Sequence, residues 1–325
     1  MNIKERLIEF DVIKGIAIIF VVCGHLIQCN LVDSVDRNPF YNWIYSFHMS
    51  LFFFVSGYLV DYTFGGKSVM KGLLKKVQTL LIPYIIWCFV IAPFVLKSNL
   101  PSLNIFFDYS SRYWFVYHLF VYMLFYYAGQ AIKHGKIGSW GGVIMTAVIL
   151  ALGQCLHPCK IFDRGLQFLP IYAFGVLSSA YQLKDKTHLY REPFLSLSLT
   201  IFVVSSILYL NLHPVILNKV AKLSASFSVS YLALYMINTH LITGDNCIAR
   251  TLVYVGKNSI VIYLTHFFFL QIMPMQLTER FWPMPFWAFF GSLLLSSVVI
   301  VICLVIGRIV ENFHLLNRLI YGRWK

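Results

Sequence analysis

The chain has 325 residues, of which 59% are hydrophobic, 17% aromatic and only 12% charged, with a mean hydropathy of +0.72. That composition excludes a soluble globular protein and marks an integral membrane protein with little sequence left for a soluble domain. A formal net charge of +13 would suit a nucleic-acid partner, but the position of each cation points elsewhere.

Apolar runs of about 20 residues, the length that crosses a bilayer as a helix, recur from end to end. They give about ten spans, near residues 11–29, 40–60, 77–96, 112–130, 138–154, 166–182, 193–211, 223–243, 250–273 and 285–309. The connections are short and polar, and the longest carry Pro or Gly. The expected architecture is therefore an all-α polytopic membrane protein forming a single domain over 1–325. The basic segment MNIKER precedes the first run, and no A-x-A-like cleavage site follows that run, so it is expected to be retained. With the N-terminus inside, about 16 cations, Lys71, Lys133 and Arg318 among them, fall on the inner side against about 8 outside. The basic excess thus reports topology, with both termini cytoplasmic, and argues against nucleic-acid binding.

The first span, EFDVIKGIAIIFVVCGHLIQC, carries Asp11, Lys14 and His25. A Lys or Asp at mid-bilayer costs roughly 2.5–3.5 kcal/mol on insertion scales and normally faces protein or water. Lys14 and Asp11 sit near the cytoplasmic end, where snorkelling relieves that cost and a plain interfacial anchor is the alternative. Lys14 and His25 are eleven residues apart, which returns them to within roughly 20° on one helix face about 16 Å apart along the axis. Gly15 and Gly24 beside this stripe would permit close approach of another helix or a ligand.

The second span, FYNWIYSFHMSLFFFVSGYLV, brings His48 to the outer half. Ser56 in FVSGY is a possible nucleophile, although a Ser-Gly pair in a membrane helix is more often a packing contact. His118 and His266, from later spans, fall at a depth similar to His25 and His48, so one or two of these are expected to share a cavity. At the inner boundary, Lys75 and Lys76 together with Lys14 could form a phosphate-binding mouth, since lysines hold phosphates as point charges. Lys71 reads better as a topology determinant. Cys23, Cys88 and Cys303 read as small hydrophobes, while Cys155 and Cys159 share an outer loop as either a disulfide or two thiols, and no cysteine spacing indicates a metal site. Trp43, Tyr113, Trp114, Trp282 and Trp287 form an expected outer aromatic belt, with sugar stacking an alternative for Trp114.

Several blocks resemble the membrane acyltransferase family 3, which includes bacterial polysaccharide and lipopolysaccharide O-acetyltransferases. They are FDVIKGIAIIFVVCGH, FHMSLFFFVSGYL, LLKKVQTLLIPYIIW, RYWFVYHLF, FLPIYAFGVL and VGKNSIVIYLTH, in the family's order over nearly the whole chain. The resemblance implies a ten-helix enzyme of the bacterial cytoplasmic (inner) membrane. It would move acetyl or a related short acyl group from acetyl-CoA or another acyl-CoA to a sugar hydroxyl of a polysaccharide or its lipid-linked precursor. It maps the family's basic residue and histidine onto Lys14 and His25, with His25 as general base. Lys14, Lys75 and Lys76 would hold the donor's phosphates, Asp11, His48, Trp114 and His266 are candidate supporting residues, and no metal is expected. Of the family's R-x-x-R pair, Lys76 fits the first position while Thr79 replaces the second.

A histidine base is commonly oriented by a carboxylate. None lies within a span at the depth of His25, and Asp11 is about 21 Å away along the helix. The remaining sources are Asp33, Asp36 or Asp108 from outer loops, a hydroxyl, or a backbone carbonyl. Intramembrane His and Lys also line transport pathways, so a transporter or flippase for a glycan or lipid-linked sugar is the rival reading.

Overall fold

The computed structural model describes residues 8–30, 35, 38–91, 113–185, 192–211, 215–239, 246–272 and 284–323. Asp33, Asp36, Asp108 and Trp282 lie outside these described residues. Regular structure among them is entirely helical: α1 Ile8–Asn30, α2 Pro39–Phe64, α3 Val69–Ile91, α4 Trp114–Ile132, α5 Lys136–Leu156, α6 Lys160–Ala180, α7 Glu192–Asn211, α8 Val215–Thr239, α9 Cys247–Lys257, α10 Ser259–Ile272, α11 Pro285–Glu311 and α12 His314–Tyr321. By length and apolarity, seven of these helices can cross a membrane, or eight with the bent α9–α10 pair counted as one span. The protein is thus an all-α multi-pass membrane protein.

Two helices differ from the expected spans in an informative way. α3 starts at Val69, before the lysines that pattern alone assigned to a connection. Its first turns, VMKGLLKK, are amphipathic, so long lysine stems can run along the helix while their ammonium groups reach water. α3 also widens into π-helical turns at Val77–Leu81 and Trp87–Ile91, a distortion frequent at functional sites. The ninth span is broken: α9 and α10 meet at 78°. The break falls in VGKNS, where Asn258 caps α9 and its side-chain amide donates to Tyr254 O at 2.8 Å. Gly and Asn are poor helix formers and good C-terminal caps.

The chain divides into two compact units. The first contains residues 1–55 and 184–306. Here α1 packs on both arms of the bent pair, and glycines set how close it comes. Gly15 faces the Leu252 carbonyl, and Gly256 faces the Asp11 carbonyl with no room for a Cβ at either place. A cluster of Cys23, Ile27, Tyr41, Ile44 and Ala288 ties α1, α2 and α11 together. Serines join α2 to α8: Ser50 donates to Ser226 Oγ at 2.6 Å and Ser226 to Ser46 O at 3.0 Å. Small polar side chains of this kind satisfy one another between helices where no water is present.

The second unit contains residues 56–183 and 307–325. Gly57 lies against the Tyr172 carbonyl, so the Ser56-Gly57 pair sits at a helix-helix contact. Gly129 and Gly142 bring α4 and α5 together. Asp61 Oδ1 accepts from Tyr126 Oη at 3.1 Å and from Ser139 Oγ at 2.8 Å, which joins α2, α4 and α5. The C-terminal helix α12 is fixed to α3 by Trp87, whose Nε1–H donates to Ile320 O at 2.9 Å.

Candidate functional site

α1 presents its polar groups at two levels. At its start, Lys14 Nζ lies 2.7 Å from Asp11 Oδ1, and the carboxylate side chain is only 3% exposed against 21% for the lysine. The i,i+3 spacing brings the two side chains onto one turn. A buried carboxylate demands a counter-ion, and Lys14 supplies one while keeping part of its stem accessible. Ile18 and Val22, between the two levels, are fully buried. Lys14 and His25 are half-buried, so the stripe is a pair of separate partly open positions and not one continuous polar line.

At the outer level His25 meets His266. The His25 Nδ1 to His266 Nε2 distance is 3.0 Å, with the rings 15° from parallel. His266 is fully buried, and its Nδ1 lies 2.9 Å from the carbonyl of Ile262, one turn earlier on α10. A carbonyl only accepts, so His266 Nδ1 carries a proton. The Nε2 of a neutral His266 is then an acceptor, which makes His25 Nδ1 the donor between the rings. It follows that a neutral His25 has its lone pair on Nε2. The orientation that a carboxylate commonly provides is supplied here by a second imidazole anchored on backbone.

Aromatic rings fix the pair in place. Phe267 lies 4.4 Å from the His25 ring and 4.3 Å from the His266 ring, and Tyr45 approaches His25 edge-on at 6.3 Å. Tyr45 also packs 4.7 Å from His48, whose Nδ1–H donates to Ile44 O at 2.7 Å, and its hydroxyl donates to Gln28 Oε1 at 3.0 Å. His48 is therefore a buried neighbour of the Tyr45 ring. The bend at Asn258 explains how one chain segment serves both levels of α1. α9 lies against the Gly15 turn, and α10 turns away at 78° to bring His266 to His25.

His118, Trp114, Lys75 and Lys76 belong to the second unit. His118 has a backbone carbonyl at each ring nitrogen, Trp114 O at 2.7 Å and Ile161 O at 2.8 Å, an arrangement that ties α4 to α6 and occupies both nitrogens. Trp114 stacks on Phe168 at 5.5 Å, with the Arg164 guanidinium 4.9 Å from its ring centre. Lys75 lines an open groove on α3, while Lys76, half-buried, is not among the lining residues. Trp287 is 56% exposed, and Tyr113 is buried beside Trp87. No disulfide joins any of the seven cysteines, and Cys23, Cys88 and Cys303 are buried. Among the described residues no group of three or more His, Cys, Asp or Glu is arranged to hold a metal ion.

Comparison with known proteins agrees with a chemical role for this chain. The model of a family described as "Acyltransferase domain" matches residues 7–306. A nodulation protein, NolL, of Mesorhizobium japonicum is 24% identical over 345 aligned positions covering 98% of this chain and 91% of that protein. The nodulation protein NolL of Sinorhizobium fredii is 41% identical over 91 positions, 27% of this chain and 25% of that one. No solved structure matches the chain.

Proposed function

The chain belongs to the acyltransferase family matched over residues 7–306, and from that premise we propose that it is a membrane-embedded O-acyltransferase. It takes acetyl, or a related short acyl group, from acyl-CoA at the cytoplasmic side of a bacterial inner membrane. The acceptor is a sugar hydroxyl of a cell-surface polysaccharide or its lipid-linked precursor, and both termini are cytoplasmic. The observation that carries this reading is the His25–His266 hydrogen bond with His266 anchored on Ile262 O. It fixes one tautomer, and a base must have its lone pair at a defined atom.

In this mechanism His25 Nε2 takes the proton of the sugar hydroxyl as the oxygen attacks the thioester carbonyl. The resulting imidazolium donates through Nδ1 to His266, a charge-assisted bond stronger than the neutral one. Collapse of the tetrahedral adduct forms the ester and breaks the carbon–sulfur bond. The departing thiolate receives the proton held at Nε2, which restores neutral His25 and leaves no covalent enzyme intermediate.

Lys14 is assigned to the phosphates of the donor, with Asp11 holding it in place. Asp11 complicates the obvious test, because removing Lys14 strips a counter-ion from a buried carboxylate, and breaking such a pair costs about 3–5 kcal/mol. The useful variant is therefore Lys14→Ala combined with Asp11→Asn, which removes both charges. Its donor KM is expected to rise about tenfold, the loss of one charge-assisted contact, with thermal stability close to wild type. Donor KM unchanged in the double variant makes Lys14 a structural ion-pair partner only.

His266 is the second test. His266→Ala removes the acceptor that sets the His25 tautomer, and kcat is expected to fall about 10–100-fold, the usual effect of losing a group that orients a working imidazole. His266→Gln keeps an acceptor oxygen for His25 Nδ1–H and recovers part of that loss. Equal kcat for the two variants would remove His266 from the orienting role. The activity itself is checked with purified protein in lipid discs, radiolabelled acetyl-CoA and candidate glycans. An esterified sugar supports the assignment, and turnover confined to donor hydrolysis across all glycans opposes it.

A further inference from the structure

The last two helices meet in an elbow of only two residues. α11 ends at Glu311 and α12 begins at His314. Asn312 N–H donates to Ile309 O at 3.1 Å and Phe313 N–H to Val310 O at 2.9 Å, while Phe313 O accepts from Asn317 N–H at 2.9 Å. α12 therefore starts, in a fixed direction, at the level where a membrane-crossing helix leaves the hydrocarbon. Its faces are the reverse of those on a helix surrounded by water. The buried positions are Asn317 and Tyr321, and the Trp87 bond to Ile320 O holds that side in place. Leu315 and Leu316 are exposed and Leu319 is half-buried. At 100° per residue these three leucines share an arc of about 100° opposite Asn317 and Tyr321. An apolar helix face turned outward at this level has the bilayer as its medium, and the same surface continues through exposed Phe313 to exposed Ile309 on α11.

Beside this surface the elbow encloses a concavity of about 360 Å³ lined by Arg308, Glu311, Asn312 and His314. The Arg308 side chain is 77% exposed, and its guanidinium lies 2.9 Å from Glu311 Oε2. The other oxygen of the same carboxylate is 4.0 Å from the Arg323 guanidinium. One carboxylate between two guanidinium groups leaves the elbow with a net positive charge. Exposed ion pairs are weak, so Arg308 can exchange Glu311 for a phosphate while Glu311 keeps Arg323. Asn312 and His314 bring further hydrogen-bonding groups to the same concavity.

We propose that this elbow binds one anionic phospholipid of the leaflet at which α11 ends, with its phosphate on Arg308, Asn312 and His314 and an acyl chain along Ile309, Phe313 and the leucine face of α12. In the topology proposed above that leaflet is the cytoplasmic one. The site stands on the elbow alone and is independent of the acyl-transfer reading. A free phosphate ester uses only the Arg308 half of it, and a zwitterionic lipid brings its own cation to the phosphate, so a lipid of net negative charge is the ligand that uses both halves.

The experiment titrates full-length protein in detergent with dioleoyl phosphatidylglycerol and, separately, dioleoyl phosphatidylcholine, and counts bound lipids by native mass spectrometry. Wild type is expected to take one phosphatidylglycerol about tenfold more tightly than phosphatidylcholine, the worth of one charge-assisted contact. Arg308→Ala should abolish that preference and leave phosphatidylcholine binding unchanged. Glu311→Gln should strengthen phosphatidylglycerol binding several-fold by releasing Arg308, so the set includes a gain as well as losses. Leu315→Ser combined with Leu316→Ser should weaken both lipids, while Lys133→Ala, at an exposed cation ending α4, should weaken neither. A preference retained in Arg308→Ala, or lost equally in Lys133→Ala, overturns the site. Displacement of phosphatidylglycerol by glycerol 3-phosphate at comparable concentration shows a free-phosphate site and overturns the lipid assignment. A wild-type dimer that becomes monomeric in the double-serine variant shows that a second copy covers the leucine face, and overturns it as well.

Discussion

Purified His25→Ala protein is expected to transfer acyl groups at least 10²–10⁴-fold more slowly than wild type, roughly the contribution of a positioned general base. It should still insert, melt near the wild-type temperature and bind coenzyme A. The reasons lie in the packing. His25 is half-buried, so shortening it removes little apolar contact, and the groups around it have other supports. His266 keeps its bond to Ile262 O, and Tyr45 keeps Gln28. The mutation leaves His266 Nε2 without the His25 donor, and a buried imidazole nitrogen tolerates that loss better than a buried charge does. Turnover is measured with saturating donor, so that a binding defect does not pass for a chemical one. Retained turnover removes His25 as the base. Lost turnover together with a lost fold would instead give His25 a packing role, which the melting curve distinguishes.

How far the site was legible in the sequence depends on the distance over which each pairing acts. The Lys14–Asp11 pair is legible, because an i,i+3 spacing in a helix is a local geometric statement that tertiary structure only has to leave alone. The depth match of His25 and His266 is legible too, since it needs only the span limits and a rise of about 1.5 Å per residue. Their contact is not, because it depends on a 78° bend. A window spanning α9 and α10 reads as one apolar run. The visible sign of the break is VGKNS, whose Gly and Asn are weak markers taken singly. An orienting carboxylate is available in the sequence only from Asp33, Asp36 or Asp108, which lie outside the described residues, while the structure gives His25 an imidazole, a partner the rule about carboxylates does not include.

Arg323 is the clearest example of what sequence conceals. As a C-terminal cation it reads as a topology determinant, and Thr79 in α3 reads as a gap in a basic pair. The structure seats Gly322 on the Thr79 backbone and puts the next residue, Arg323, into the groove beside Lys75. No periodicity links residues so far apart in the chain, and the sequence holds only the left-handed glycine that makes the turn. Lys71 is concealed for a related reason. The span limits read from the sequence put it in a connection, whereas α3 carries it onto the same groove wall as Lys75.

Gly256→Val is expected to do what His25→Ala does not, abolishing transfer by loss of the fold. At Gly256 α9 touches the backbone of α1, and any Cβ would overlap the Asp11 carbonyl oxygen and crowd Gly15 N at 2.9 Å. The obstruction is helix backbone, which has no alternative rotamer, and it is matched from the other side, where Gly15 meets the Leu252 carbonyl. Overpacking a well-packed interior typically costs about 1–3 kcal/mol, and a branched side chain against rigid backbone belongs at or above the upper end. To relieve the overlap α9 must move off α1. α9 is joined to α10 at Asn258, so the displacement carries to His266 and breaks its bond to His25. The two levels of α1 are thus mechanically linked through the bent pair, and a substitution beside Asp11 disables chemistry at His25. Thermal unfolding in detergent should show a large fall in Tm for Gly256→Val, with transfer lost in proportion. Gly141→Ala in α5 is the matched control, since a Cβ there meets only Gly129 Cα at an ordinary 3.8 Å and should leave Tm unchanged. A Gly256→Val protein that melts like wild type would mean that α1 and α9 do not pack through these glycines, and the His25–His266 pairing would lose the scaffold on which it depends.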